Sequence, residues 1–312
     1  MDSRNQINHL TYLFALSASI FLLWGCQSQS GASTATELNM LGRGGLLTTH
    51  FQTLEELQEV VQIEYAADGK SWVRLTHQGK GHQVVTQLDA GLSEKDIIKT
   101  RDKGFFAKAA LGIRAPCFVM HRQDLMRAYI LSRKRDQYYG GGDVAFYHLA
   151  EAMMNHIKEE DLAKIPPQDI SEKGYINTFN HMTAQCFITS IYSEELADFI
   201  ADIHERNIPE LITGKFTEKQ LSDPKNGAVD NYVDMVNNEW GQELGKLLKQ
   251  KYQLSDTTHW TPQLLTNFLN DQQQYYSWIF EIGFEPFRPS DIMVIRYAAK
   301  INKAMAGVNG MR

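Results

Sequence analysis

The sequence predicts a mainly α fold of the α+β class: a helical globule with a small N-terminal antiparallel β meander. Three observations predict it. Between Val60 and Leu88 the runs VVQIEY, SWVRLT and HQVVTQL are rich in β-branched and aromatic residues, and AADGK and HQGKG part them as turns. After Asp89 the apolar spacing becomes that of helices and stays so to the end of the chain. A hydrophobic content of 43% and an aromatic content of 11% are enough for a real core.

Taken in order, residues 1–25 read as a secretory signal. Arg4 supplies the positive start, and Leu10 to Trp24 is an apolar core too short for a comfortable membrane span. The closing Leu23-Trp24-Gly25-Cys26 resembles the lipobox of bacterial lipoproteins, which implies cleavage before Cys26 and lipidation of that cysteine. The competing reading is an uncleaved helical anchor, and either one ties the chain to a membrane. Residues 26–45, with the run QSQSGASTATE, have the composition of a flexible tether. Gln27 stands where lipoproteins kept at the inner membrane carry Asp, so the resemblance implies the outer membrane in a Gram-negative source.

A formal charge of −6, from 37 acidic and 31 basic residues, argues against a nucleic-acid-binding surface. The expected partners are the membrane, through Cys26, and an envelope protein or glycan. Of the other cysteines, Cys117 and Cys186 either pair in an oxidising envelope or stay as two buried thiols.

Residues 46–92 form the small β-rich region, opened by TLEELQEVV as a short helix capped by Thr53. Residues 93–252 form a helical core. Ser93 and its acidic neighbours open a helix, GIRAPCFVM reads as a turn or a short strand, YGGGD is a break, and helices follow over 144–157, 178–191, 193–206 and 230–251. Residues 253–312 add helices over 262–281 and 289–305, packed on that core. Here Tyr275, Tyr276, Trp278, Phe280, Phe284 and Phe287 read as core packing, or as a stacking surface for a glycan or a partner.

The candidate chemistry sits on three helical segments. FIADIHERN sets Asp202, His204 and Glu205 together, and His204 borders the stripe made by Leu196, Phe199, Ile200 and Ile203. Asp202 lies on a nearly opposite side, so it and His204 do not share one ion on a regular helix. A zincin is excluded, because Ile208 stands where its second histidine belongs. In VDMVNNEWGQELG, the row Asn237, Gly241, Gly245 permits a close helix contact, and Asn237 needs hydrogen-bond partners. His181 and the weaker candidate His148 each follow a phenylalanine by two positions.

NTFNHMTAQ, ADIHE and DMVNNEWGQELG together resemble an uncharacterised helical domain family of bacterial secreted and surface proteins. That family runs Asp-x-Phe-x-His, then Ala-Asp-x-His-Glu, then Asp-x-His-Asn-Asn-x-x-Gly. Phe179, His181, Ala201, Asp202, His204, Glu205, Asp234, Asn237, Asn238 and Gly241 match it, over about residues 177–245. Asn177 and Val236 depart from it, where the family tends to have Asp and His.

Two functions follow. In the first, His181, His204 and a carboxylate, Glu205 or Asp234, converge for hydrolysis of an envelope or extracellular substrate. They do so either around a divalent metal such as zinc or by metal-free acid-base chemistry, with Asn237 or Asn238 polarising the substrate oxygen. In the second, a non-catalytic binding or assembly lipoprotein uses these groups as interior hydrogen-bond partners.

Overall fold

A computed structural model describes residues 44–101, 103–223 and 227–307. The expected signal segment and Cys26 lie outside the described residues. The protein is mainly helical, with one three-stranded antiparallel sheet in the order β1-β2-β3. Its strands are β1 (Val61–Tyr65), β2 (Trp72–Gln78) and β3 (Gln83–Asp89). Ahead of them, α1 (Leu54–Gln58) is capped by Thr53, whose hydroxyl accepts from the Glu56 amide at 3.3 Å.

Strand alternation gives β2 an inner face of Val73, Leu75 and His77. That face is laid on the long helix α9 (Ala228–Lys251), where Trp240 donates its indole N–H to His77 Nδ1 at 3.0 Å. Gly44 lies flat on the same indole, since a Cβ there would fall 1.8 Å from the ring.

Between sheet and long helix the chain forms α2 (Glu94–Arg101), α3 (Phe105–Arg114), α4 (Pro116–Met120), α5 (Arg122–Ser132) and α6 (Phe146–Asn155). The segment GIRAPCFVM holds the end of one helix and the whole of the next, with the expected turn reduced to Ala115 between them and no strand. Pro116 takes the first helical position of α4, where no amide proton is needed and its fixed φ suits the helix. Of the two alternatives for the cysteines, pairing with each other is excluded: Cys186 is a free, fully buried thiol.

The centre of the molecule is α7 (Asn177–Ile191) beside α9, and the two run parallel. Side chains meet at a constant separation of 57 residues, giving Lys173 with Asp230, Asn177 with Asp234, His181 with Asn238 and Gln185 with Gln242. Four-residue spacing between rungs is one helical turn, so the pairs form a ladder along one seam. Beneath it, Gly241 and Gly245 abut the α7 backbone. A Cβ on them would lie 2.6 Å from the Met182 carbonyl and 2.7 Å from that of Cys186. The expected close approach is thus present, and it offsets the intrinsic cost of each interior glycine, about 1 kcal/mol.

Around this pair lie α8 (Glu194–Glu205), α10 (Pro262–Phe280) and α11 (Ile292–Ala306). Ser193 and Thr261 cap α8 and α10, accepting from the amides of Leu196 and Leu264. One main core takes residues from the sheet, such as Leu75, from α7, such as Phe187, and from α11, such as Ile301. Of the aromatic cluster, Tyr275, Tyr276 and Phe287 are buried and the other three rings pack against the same core. Tyr276 stacks on Phe179 with centroids 4.7 Å apart, so the cluster is packing rather than an open glycan platform. Among the described residues, no helix is long and apolar enough to cross a membrane.

Candidate functional site

The groups expected to converge divide into an inner set, a backbone clamp and a surface residue. His181 belongs to the inner set. Its Nδ1 lies 3.0 Å from Asn238 Oδ1 and its Nε2 lies 3.3 Å from Asp234 Oδ2. Asp234 in turn accepts from Asn177 Nδ2 at 2.7 Å. Burial holds the imidazole below its ordinary pKa, against the raising effect of the Asn238 contact. A neutral ring meets both neighbours by donating from Nδ1 to Asn238 Oδ1 and accepting at Nε2 from a protonated Asp234. Both imidazole nitrogens are then occupied. Asn177 supplies an amide proton to Asp234 and adds no negative charge.

Glu205 is turned inward from the last turn of α8. It is 3% exposed and its Oε2 has no hydrogen-bond partner. Burial, reinforced by the nearby charges of Asp234, Asp230 and Asp202, pushes its pKa well above the ordinary carboxyl value. Burial and then Asp230 do the same to Asp234. Asp230 is raised as well, although Lys173 donates to its Oδ2 at 2.7 Å. Three interior carboxyls thus face one ammonium group, and this balance is met by keeping protons on the carboxyls.

His204 does not join them. Its side chain is 65% exposed, and its Nδ1 faces Glu94 Oε2 at 3.5 Å across the surface. Asn237 is a clamp on the chain entering the sheet: its Oδ1 accepts from Leu46 N and its Nδ2 donates to Leu46 O, both at 2.9 Å. It has no amide atom to spare for a substrate oxygen. Asn238 is held by His181, and the His148 Nδ1 accepts from the Ala145 amide at the start of α6. The expected zinc set of His181, His204, Glu205 and Asp234 is therefore not assembled. Among the described residues, no three His, Cys, Asp or Glu side chains form a group that could hold a metal ion.

Room for a ligand lies on the other flank of α8. A cleft of about 820 Å³ opens between β3, the turn joining α3 to α4, and helices α8 and α9. Such a volume suits a small organic ligand or a short segment of a polymer. Asp198 and Asp202, one turn apart on α8, face Glu239 from α9, with Leu92, Pro116 and Phe199 as apolar walls. Two of the cleft's arginines are committed. Arg206 bonds Asp202 Oδ2 and Asp89 O, each at 2.7 Å, and Arg74 bonds Gln87 at 2.6 Å.

Asp198 and Glu239 are left with neutral hydrogen-bond partners, Gln242 and Thr86. Burial pushes the Asp198 carboxyl up to about 6 and that of Asp202 to about 7, the latter against the lowering pull of Arg206. It carries Glu239 well above the usual range, with Asp198 adding to the effect. Sequence reasoning named Asp202 but missed Asp198 and Glu239. Their only signal was an acidic row at Glu194, Asp198 and Asp202, which has the spacing of an ordinary solvated helix face.

No family model matches this chain, and no curated protein or solved structure is detectably similar to it.

Proposed function

We propose that this chain is a lipid-anchored protein of the bacterial cell envelope that binds its ligand without turning it over. The ligand enters the cleft beside α8 and presents a cationic group, such as an amine, to Asp198, Asp202 and Glu239. One observation carries the non-catalytic part: His181 has both nitrogens engaged inside the seam of α7 and α9, while His204 stands on the surface. An imidazole with both nitrogens engaged is not free to take a proton from a substrate, which favours binding over turnover. The preference for a cation rests on carboxyls that burial makes reluctant to ionise, for which a bound ammonium group replaces the missing counter-charge.

Anchoring is supported by the lipobox-like Leu23-Trp24-Gly25-Cys26 and the tether after it. Labelled palmitate should enter the wild-type chain and be absent from Cys26→Ser. Binding is tested by calorimetric titration of the purified chain with spermidine and with glucosamine. Heat of binding is expected from at least one amine, with loss in Asp198→Asn and Glu239→Gln. Silence with both amines, or full binding by both variants, refutes the reading.

A second reading has its own support. Asp198 and Asp202 hold protons near neutrality in a cleft large enough for a substrate, and such groups serve as general acids. Hydrolysis of a chromogenic glycoside or ester by the wild type, abolished in Asp198→Asn, would select hydrolysis over binding alone.

A further inference from the structure

Helices α2, α3 and α4 stand apart from the main body. Leu92, Leu111 and Ala115, with Ile97 and Phe118 against them, make a small second core of their own. The outer side of this lobe is unusually apolar. Ile113 is 82% exposed, Val119 57%, Met120 53% and Ile98 50%. The surfaces of α3 and α4 are continuous, since a Cβ on Gly112 would touch Val119 at 3.2 Å. Exposed apolar residues gathered in this way mark an interaction surface rather than ordinary scatter.

Charge says what covers it. Residues 94–122 hold seven lysines and arginines against three acidic residues, a balance of +4 in a chain whose total is −6. The rest of the chain therefore carries −10. Lys95, Lys99, Lys103, Arg114 and Arg122 of this stretch are all exposed. Exposed basic and exposed aliphatic side chains carried by the same short helices match an anionic bilayer surface, with phosphates for the former and acyl chains for the latter. The bilayer is also the occupant that the proposed anchor at Cys26 would hold nearby.

We propose that the α2–α4 lobe docks on the surface of a bilayer containing anionic phospholipid, as a second contact beside the N-terminal anchor. The anchor is the only part of the functional reading on which this rests, and the cleft plays no role in it. Docking buries Ile113, Val119 and Met120 at the headgroup boundary and sets the exposed lysines and arginines against lipid phosphates.

The test mixes the full chain with phosphatidylglycerol/phosphatidylcholine vesicles or with pure phosphatidylcholine vesicles, and follows flotation together with hydrogen exchange. Amides of residues 105–120 are expected to exchange about tenfold more slowly on the anionic vesicles than on the neutral ones. That protection should disappear in Lys95→Glu/Lys99→Glu/Lys103→Glu/Arg122→Glu and in Ile113→Ser/Met120→Ser, while both variants still float through the anchor. Flotation on both vesicles with identical exchange overturns the docking and leaves the anchor standing. Protection that is equal on neutral vesicles or survives charge reversal overturns it too, and a chain that floats on neither vesicle overturns docking and anchor together.

Discussion

Replacing Glu205 by glutamine isolates the proton held in the interior of the molecule. In the unfolded chain this carboxyl ionises near its ordinary value of 4.5, while in the folded protein burial and the nearby acids keep it protonated far above that. Between the two values the folded state binds one more proton than the unfolded state, so stability falls as pH rises. The slope is about 1.4 kcal/mol per pH unit for one such group. While pH lies between those two values, the wild type should therefore lose stability as pH rises, at up to this slope through Glu205 alone. Glu205→Gln loses this term and keeps a different, constant one. Its amide nitrogen occupies the place of an oxygen with no partner, at a cost of about 1–3 kcal/mol at every pH. The sign of the difference at a single pH is thus uninformative, and its slope is the measurement. Urea unfolding followed by circular dichroism at pH 5, 6, 7 and 8 supplies it. Wild type and variant are expected to converge, and then cross or separate, by about 1.4 kcal/mol per unit. Parallel curves would refute the assignment of a buried, protonated Glu205.

Other expectations follow from the same packing. Gly241→Ala places a methyl group 2.6 Å from the Met182 carbonyl and 2.8 Å from its Cα, so it should cost about 3 kcal/mol in chemical denaturation. Gly141→Ala, which meets nothing within 4 Å, should leave the midpoint almost unchanged. Lys300 is 1% exposed and donates to Asp143, Arg133 O and Val144 O. Lys300→Met leaves Asp143 buried without its counter-charge and should cost about 3–5 kcal/mol, read as a fall in melting temperature. His77, pushed down to about 4 by burial, titrates in the opposite sense from Glu205. Below pH 6.5 the unfolded state takes up a proton that the folded state refuses, so stability is lost as pH falls toward 4, by about 3 kcal/mol in all. His77→Gln should flatten that acid limb; an unchanged limb would show that His77 is protonated in place.

The periodic parts of this chain were legible before any coordinates. The meander from Val61 to Asp89 and the six long helices from Phe146 onward lie within a few residues of their expected bounds, because long amphipathic runs and turn-forming breaks act locally. The row of Asn237, Gly241 and Gly245 announced a close helix contact, and α7 fills it. GIRAPCFVM misled because Gly112 and Pro116 punctuate chains in general, yet here Pro116 begins a helix.

The site was legible in composition but not in direction. His204 borders the apolar stripe of α8 on a helical wheel. The helix is nevertheless rotated so that Leu196, Ala197 and Glu205 face the interior, a choice made by α9 rather than by α8. Asp198, one turn before Asp202, carries no signal that sets it apart from the other acidic residues of α8. Their cleft exists only because β3 and the α3–α4 turn, distant in sequence, come to stand opposite them.

The parallel pairing of α7 with α9 has a consequence for how the two find their alignment. Sliding α9 by one turn either way would still give every rung a chemically acceptable mate: His181 would meet Asp234 or Gln242, and Asn177 would meet Asp230 or Asn238. Hydrogen bonding along the seam is thus nearly indifferent to such a slip. Sterics is not, since a one-turn displacement would bring Asn237 against Met182, or Lys249 against Cys186, where now there is only hydrogen. The two glycines act as a detent, and they hold each polar residue opposite the one it meets.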